Sequence, residues 1–277
     1  MLERFLNEKI NRHGNRLDED TKVAYRFDIG QFMEYVGKNE FEITYNDISE
    51  WFGHYREQYS TATMSRKIMA LKSYFKWLTA IGYISENPIE NFQTFTPKSK
   101  EKVPLTVDEV NAIIRQGKNS RDKAIVQTLA STGIRVSELI DMKLSDLDSE
   151  TVVIHGKGDK DRVISVSNKT RGFIKEYLKS RKNCDIDNIF VSNNGTEMKE
   201  KTINKTLKAL AKRAGIEDWK AVSPHLFRCT YASLLAENNV PIPTVQKILG
   251  HSRIETTMRY IKTNNTQVVN AMNIDLY

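Results

Sequence analysis

A stretch without periodicity, FQTFTPKSKEKVP from Phe92 to Pro104, cuts this chain in two. Two prolines sit among polar and charged residues, so the segment offers neither a continuous hydrogen-bond ladder nor a face to bury. It reads as a linker. The 277 residues are therefore expected to fold as two bodies, 1–95 and 104–277, joined by 96–103.

The first body reads as helical. TKVAYRFDIGQFMEYV places Val23, Phe27 and Tyr35 near helical spacing. TATMSRKIMALKSYFKWL repeats Ile68, Leu71, Phe75 and Leu78 at i, i+3, i+7 and i+10, a stripe for a core. Its other faces carry Arg66, Lys67, Lys72 and Lys76, either a solvated surface or phosphate contacts. The second body is mixed but mostly helical. Thr106 with Glu109 three residues on forms a capping box. Two β-branched runs, Thr151–Ile154 and Val163–Val166, flank a Gly/Asp/Lys turn and predict a hairpin. DNIFVSNNG is expected to add a short strand. The fold class is mainly α with a small antiparallel β-sheet.

Charge is uneven along the chain. Residues 1–97 hold 12 Lys+Arg and 14 Asp+Glu, net −2; residues 98–277 hold 30 and 21, net +9. A basic larger half suits a polyanion. No apolar run approaches the ~20 residues of a membrane span. MLERFLNEKINRHG mixes acids with bases and lacks the apolar core of a secretory signal. Cys184 and Cys229 lack metal-type spacing and read as reduced thiols. A cytoplasmic protein is expected.

Four short stretches carry candidate chemistry. In SPHLFRCTYASLL, Ser223 is an N-cap and Pro224 suits the first helical position. His225 and Arg228 then share one face of the first turn, where free N–H groups favour a phosphate. A capped helix with two exposed polar residues is the plainer reading of this motif alone. In STGIRVSELIDMKLSDL, Gly133 ends one helix and Arg135 opens the next, with Glu138 placed to hold its side chain. Arg binds phosphate oxygens in pairs, though a structural ion pair has the same signature. In HGKGDKDR, Lys157 lies between two glycines at the hairpin tip, in a surface turn or a DNA groove. In LGHSRIETTMRY, Gly250 is a C-cap, Ser252 and Glu255 form a capping box, and His251 lies in the turn between. Tyr260 follows in the next helix, about 13 Å from His251 along a straight one.

Taken together, TGIRVSEL, GKGDKDR, HLFRCTYAS and LGHSRIETTMRY resemble the motifs of the tyrosine recombinase (phage integrase) family, in the family's order. The likeness spans residues ~104–262, and the N-terminal helices are similar to that family's core-binding domain. The layout most resembles the Xer branch, which resolves chromosome dimers. The resemblance implies a two-domain C-shaped clamp on double-stranded DNA, with a SAM-like helical domain and a catalytic domain. It implies that Arg135, His225 and Arg228 hold the scissile phosphate, that Lys157 is the general acid, that His251 completes the site and that Tyr260 is the nucleophile. Glu138 supports them, and Arg66, Lys67, Lys72, Lys76, Lys160 and Arg162 are candidate DNA contacts.

The implied reaction passes through a 3′-phosphotyrosine and a free 5′-hydroxyl, conserving bond energy without ATP. A phenol titrates near 10, so it needs a base and a cationic setting to attack near neutrality. Arginines and histidines supply charge stabilisation, and no Asp/Glu cluster suits a two-metal nuclease. No metal or cofactor is expected. The implied assembly is a homotetramer on two DNA sites, monomeric or dimeric in free solution. The apolar residues Val268, Val269, Met272 and Ile274 of the tail are then expected either to dock on a neighbouring protomer or to pack against their own domain. Three alternatives remain: a transposon or phage integrase of the same family, a type IB topoisomerase that relaxes DNA, and a DNA-binding regulator with a dead site.

Overall fold

A computed structural model describes residues 1–10, 14–95, 103–149, 151–154, 161–251 and 253–258. The chain divides into two compact units, Met1–Lys100 and Glu101–Tyr277. It is mostly helical with one two-stranded antiparallel sheet among the described residues.

The first unit contains α1 (Leu2–Glu8), α2 (Glu19–Val36), α3 (Tyr45–Tyr55) and α4 (Thr61–Ala80). Side chains cap their starts: Asp18, Thr44 and Ser60 accept from Thr21, Asp47 and Thr63 backbone N–H groups. Aromatic rings fill the centre. Phe32 meets Trp51 and Phe75 edge-on, and Phe5 meets Tyr74 edge-on. Ile68, Leu71, Phe75 and Leu78 line the buried face of α4, as their spacing predicts.

On α2 the expected face is the wrong one. Val23 and Phe27 are 58% and 61% exposed and Tyr35 is also exposed, whereas Asp28, Ile29 and Phe32 are fully buried. Tyr25, Met33 and Val36 pack beside them, so the true stripe runs 25, 29, 32, 33, 36. Asp28 is buried on the same face, and α4 supplies its partners. Lys67 Nζ donates to Asp28 Oδ1 at 3.1 Å and to Gln31 Oε1 at 2.6 Å, and it lies 5.0 Å from the ring centroids of Phe27 and Tyr59. Lys67 is 1% exposed and so is a core cation, not the surface phosphate contact expected of it. Half-exposed Arg66 also pairs with Asp28. Lys72 donates to the Glu90 carbonyl at 3.4 Å, and Lys76 is exposed.

The second unit contains α5 (Val107–Arg115), α6 (Ser120–Thr132), α7 (Val136–Asp141), β1 (Thr151–Ile154), β2 (Arg162–Ser165), α8 (Asn168–Ser180), α9 (Glu200–Arg213), α10 (Pro224–Glu237), α11 (Ile242–Leu249) and α12 (Ile254–Met258). The Thr106–Glu109 capping box starts α5. Helix α6 is central, packing on α5, α8 and α10 with Ala124, Ile125, Val126 and Leu129 fully enclosed. The hairpin forms with Val152 opposite Ile164 and Ile154 opposite Arg162. Its second strand begins one residue earlier than expected, at Arg162, which therefore belongs to the sheet.

The strand expected in DNIFVSNNG is absent. Residues 188–191 are buried core, but they make only isolated bridges, Lys143 with Asn188 and Val191 with Glu197. Arg181 takes the carbonyls of Asn188 and Ile189, two acceptors that a ladder would have used. Cys184 is half-buried and Cys229 buried, and the two form no disulfide. No described helix is long and apolar enough to cross a membrane.

Candidate active site

Two left-handed glycines prepare the site. Gly133, at φ 61°, ends α6, and a Cβ there would lie 2.5 Å from the Tyr231 ring. Gly250, at φ 65°, ends α11, and a Cβ there would meet Arg162 Cδ at 3.1 Å. Only glycine takes both the backbone angle and the space. The first turn delivers Arg135 at the start of α7, and the second delivers His251. Ser223 caps α10 by accepting from the Leu226 N–H, with Pro224 in the first turn, so the start of α10 delivers His225 and Arg228.

Three arginines converge on the end of α11. Arg162 Nε donates to the Ile248 carbonyl at 3.0 Å, Arg228 Nη2 donates to the Leu249 carbonyl, and Arg135 Nη2 donates to the Gly250 carbonyl at 3.2 Å. A helix C-terminus leaves its last carbonyls without intrahelical donors and carries negative partial charge, so three guanidinium groups suit it. Arg228 also donates to the Gly133 carbonyl at 2.7 Å and so ties the two glycine turns together. It is 4% exposed, whereas the Arg135 side chain is 42% exposed and His225 is exposed.

Glu138 joins the arginines from below. It accepts from the Arg135 backbone N–H and Arg135 Nη1, both at 2.7 Å. It also accepts from Arg162 Nη1 at 2.7 Å and Nη2 at 2.6 Å, a bidentate pair with both side chains 7% exposed. Burial favours the neutral acid, but the bonds from Arg162 and from the Arg135 N–H outweigh it and hold the Glu138 carboxyl at about 2. Arg162, expected as a DNA contact, is buried inside this network instead. Its alternation with Ile164 on β2 is the signal that places it indoors.

His251 is half-buried, with Nδ1 2.9 Å from Thr257 Oγ1. Burial lowers its pKa to about 4, helped by the charges of Arg228, Arg135, His225 and Arg162. It is therefore neutral at pH 7, within electrostatic reach of four cationic or titratable groups. Thr257, fully buried on α12, is a partner that its local sequence does not announce. Lys157, Lys160, Ser252, Tyr260 and the tail residues Val268, Val269, Met272 and Ile274 lie outside the described residues. Among the described residues, no three His, Cys, Asp or Glu gather as a metal site.

Both shifts make acid destabilising. Glu138 has a lower pKa folded than its ordinary 4.5, so its contribution is present above 4.5 and is lost as the pH falls towards 2. His251 is lowered from 6.5 to about 4, so the unfolded chain takes up that proton first and stability starts to drop below 6.5. The melting temperature is expected to fall between pH 6.5 and 5 and to do so less in His251→Asn. Calorimetry at fixed ionic strength checks this; an unchanged slope in the variant would place the titration on another group.

Comparison with known proteins bears on the whole chain. The Phage integrase family matches residues 104–267, and the Phage integrase N-terminal SAM-like domain matches residues 3–82. A tyrosine recombinase of Thermosipho africanus is 32% identical over 277 residues, covering 94% of each chain. Tyrosine recombinase XerD of Lacticaseibacillus casei is 30% identical over 270 residues, covering 91% of each. Among solved structures, XerA recombinase aligns at 30% identity with a TM-score of 0.56, covering 100% of this chain and 98% of that one. XerH bound to a palindromic difH substrate, in a post-cleavage complex, aligns at 21% identity with a TM-score of 0.76, covering 92% and 79%; at that identity the likeness is one of fold.

Proposed function

The chain belongs to the phage integrase family as an Xer-like tyrosine recombinase, and from that premise we propose that it cuts and rejoins double-stranded DNA at specific sites through a 3′-phosphotyrosine. The observation that carries the reading is the gathering of Arg135, His225 and Arg228 around neutral His251, at the ends of α6, α10 and α11. Arg135, His225 and Arg228 hold the scissile phosphate. Their positive charge offsets the charge that builds on the non-bridging oxygens as phosphorus becomes five-coordinate. The Tyr260 phenol gives up its proton to a histidine of the site, His225 or His251, as its oxygen forms the new bond to phosphorus. The bond from phosphorus to the 5′-oxygen breaks, and Lys157 supplies that oxygen with a proton. A 5′-hydroxyl of a second duplex then reverses the step and releases Tyr260. Each bond broken is replaced by one of similar energy, so the cycle needs no ATP, and the arginines supply the charge that a metal ion would otherwise bring.

The cellular role we propose is resolution of chromosome dimers by a homotetramer on two sites, with the tail of one protomer docked on the next. The experiment is covalent trapping. Duplexes carrying candidate chromosomal and mobile-element sites are nicked just 3′ of the scissile phosphate, so that the short 5′-hydroxyl fragment diffuses away and the adduct accumulates. The expected result is an adduct on a chromosomal site, and strand exchange when two intact copies are supplied. An adduct on element ends alone would replace dimer resolution with integration. Relaxation without exchange would indicate a topoisomerase, and no adduct on any duplex would overturn the reaction.

A further inference from the structure

Of the three arginines at the end of α11, Arg162 is the one to which the proposed reaction gives no task. Its geometry is nevertheless tightly constrained. Both terminal nitrogens are spent on the two oxygens of Glu138, and Nε is spent on the Ile248 carbonyl, 86 residues along the chain. Glu138 in turn holds the backbone and the guanidinium of Arg135. The Ile248 carbonyl lies three residues before His251. Gly250 packs so closely on the Arg162 stem that a single added carbon would meet Cδ at 3.1 Å. One planar side chain thus touches the support of Arg135 on one side and the turn carrying His251 on the other.

There is also a charge consequence. A carboxylate bound by Arg135 alone would cancel the charge that Arg135 offers to a phosphate. With Arg162 on the same carboxylate, the trio of Arg135, Arg162 and Glu138 keeps one net positive charge, and Arg135, the exposed member, presents it. We propose that Arg162 is a positioning residue of the reaction, which locks Arg135 and the His251 turn onto one another and leaves Arg135 its charge. This rests on the recombinase reading above. Lysine cannot replace it, because a single ammonium lacks the fork that spans both carboxylate oxygens while a third donor reaches Ile248.

The test is single-turnover cleavage by Arg162→Lys on the nicked duplex recovered by trapping, alongside duplex affinity and melting temperature. Amplitude reports the fraction of folded, active protein, and the rate constant reports the geometry of each active molecule. The expected result is duplex affinity within about 3-fold of the unaltered chain, near-full amplitude, and a rate constant lower by about 10²-fold, the scale of a small misplacement of catalytic groups. A merely structural role would lower amplitude and melting temperature at an unchanged rate constant, and that outcome overturns the proposal. Should Arg162→Lys fail to fold, the paired variant Arg162→Met with Glu138→Gln removes both buried charges together and leaves neither uncompensated. It is expected to fold and still cleave about 10²-fold slowly; cleavage at the unaltered rate overturns the proposal. If the unaltered chain itself forms no adduct, the recombinase reading fails first and takes this inference with it. An adduct with normal kinetics in a folded variant fails the inference alone.

Discussion

Tyr260→Phe is expected to bind its duplex with unchanged affinity and to form no covalent adduct. The substitution removes one oxygen and leaves the ring, so packing and phosphate contacts persist while the attacking atom disappears. Nothing else in the proposed set replaces it. Arginine is never deprotonated in proteins, and a histidine adduct would be a phosphoramidate of different acid stability. Loss of a covalent nucleophile costs on the order of 10⁶-fold in enzymes where it has been measured, which here means no adduct within any practical time. The measurement is a denaturing gel of labelled nicked duplex. An adduct at the unaltered rate in this variant would show that the nucleophile lies elsewhere, and the reading of LGHSRIETTMRY would have to be abandoned.

Lys157→Ala is expected to cleave ordinary DNA about 10² to 10⁴-fold more slowly, the usual worth of a positioned general acid. The departing 5′-oxygen leaves as an alkoxide unless it is protonated, and a comparable oxygen acid, water, has a pKa near ~15.7. A thiol titrates near ~8.5, so sulfur at the bridging 5′ position departs without a proton. The variant is therefore expected to recover most of its rate on the sulfur-bridged duplex. Arg135→Ala is expected to stay slow on both, because its charge acts on the non-bridging oxygens. Equal impairment of Lys157→Ala on both substrates would reduce Lys157 to a DNA contact. The proton would then have to come from Lys160 or His225.

The features legible in the sequence are those whose hydrogen bonds close within three or four residues. Ser223 and Pro224 at the start of α10, Thr106 with Glu109 on α5, and the glycine ends at Gly133 and Gly250 all stand where their types predict. The hold of Glu138 on Arg135 is of the same kind, three residues apart. The α4 stripe was legible because four apolar residues repeat at one helical spacing. Family membership was legible because several such motifs occur in one order.

What the tertiary structure decided are the choices between partners distant in sequence. Val23, Phe27 and Tyr35 offer α2 one apolar face and Ile29 with Phe32 offer another; packing against α1, α3 and α4 buries the second, and the pairing of Asp28 with Lys67 from α4 is buried with it. That same pairing takes Lys67 out of reach of a phosphate. DNIFVSNNG has the composition of a strand, but Arg181 occupies its carbonyls. Arg162 looked like a surface cation beside a basic turn, and Glu138 and Ile248, 24 and 86 residues away, bring it into the centre of the site. Composition and spacing name the groups a residue is able to bind. Which of them it binds depends on which distant groups packing brings within about 3 Å, and for a buried charge that choice separates a DNA contact from the support of an active site.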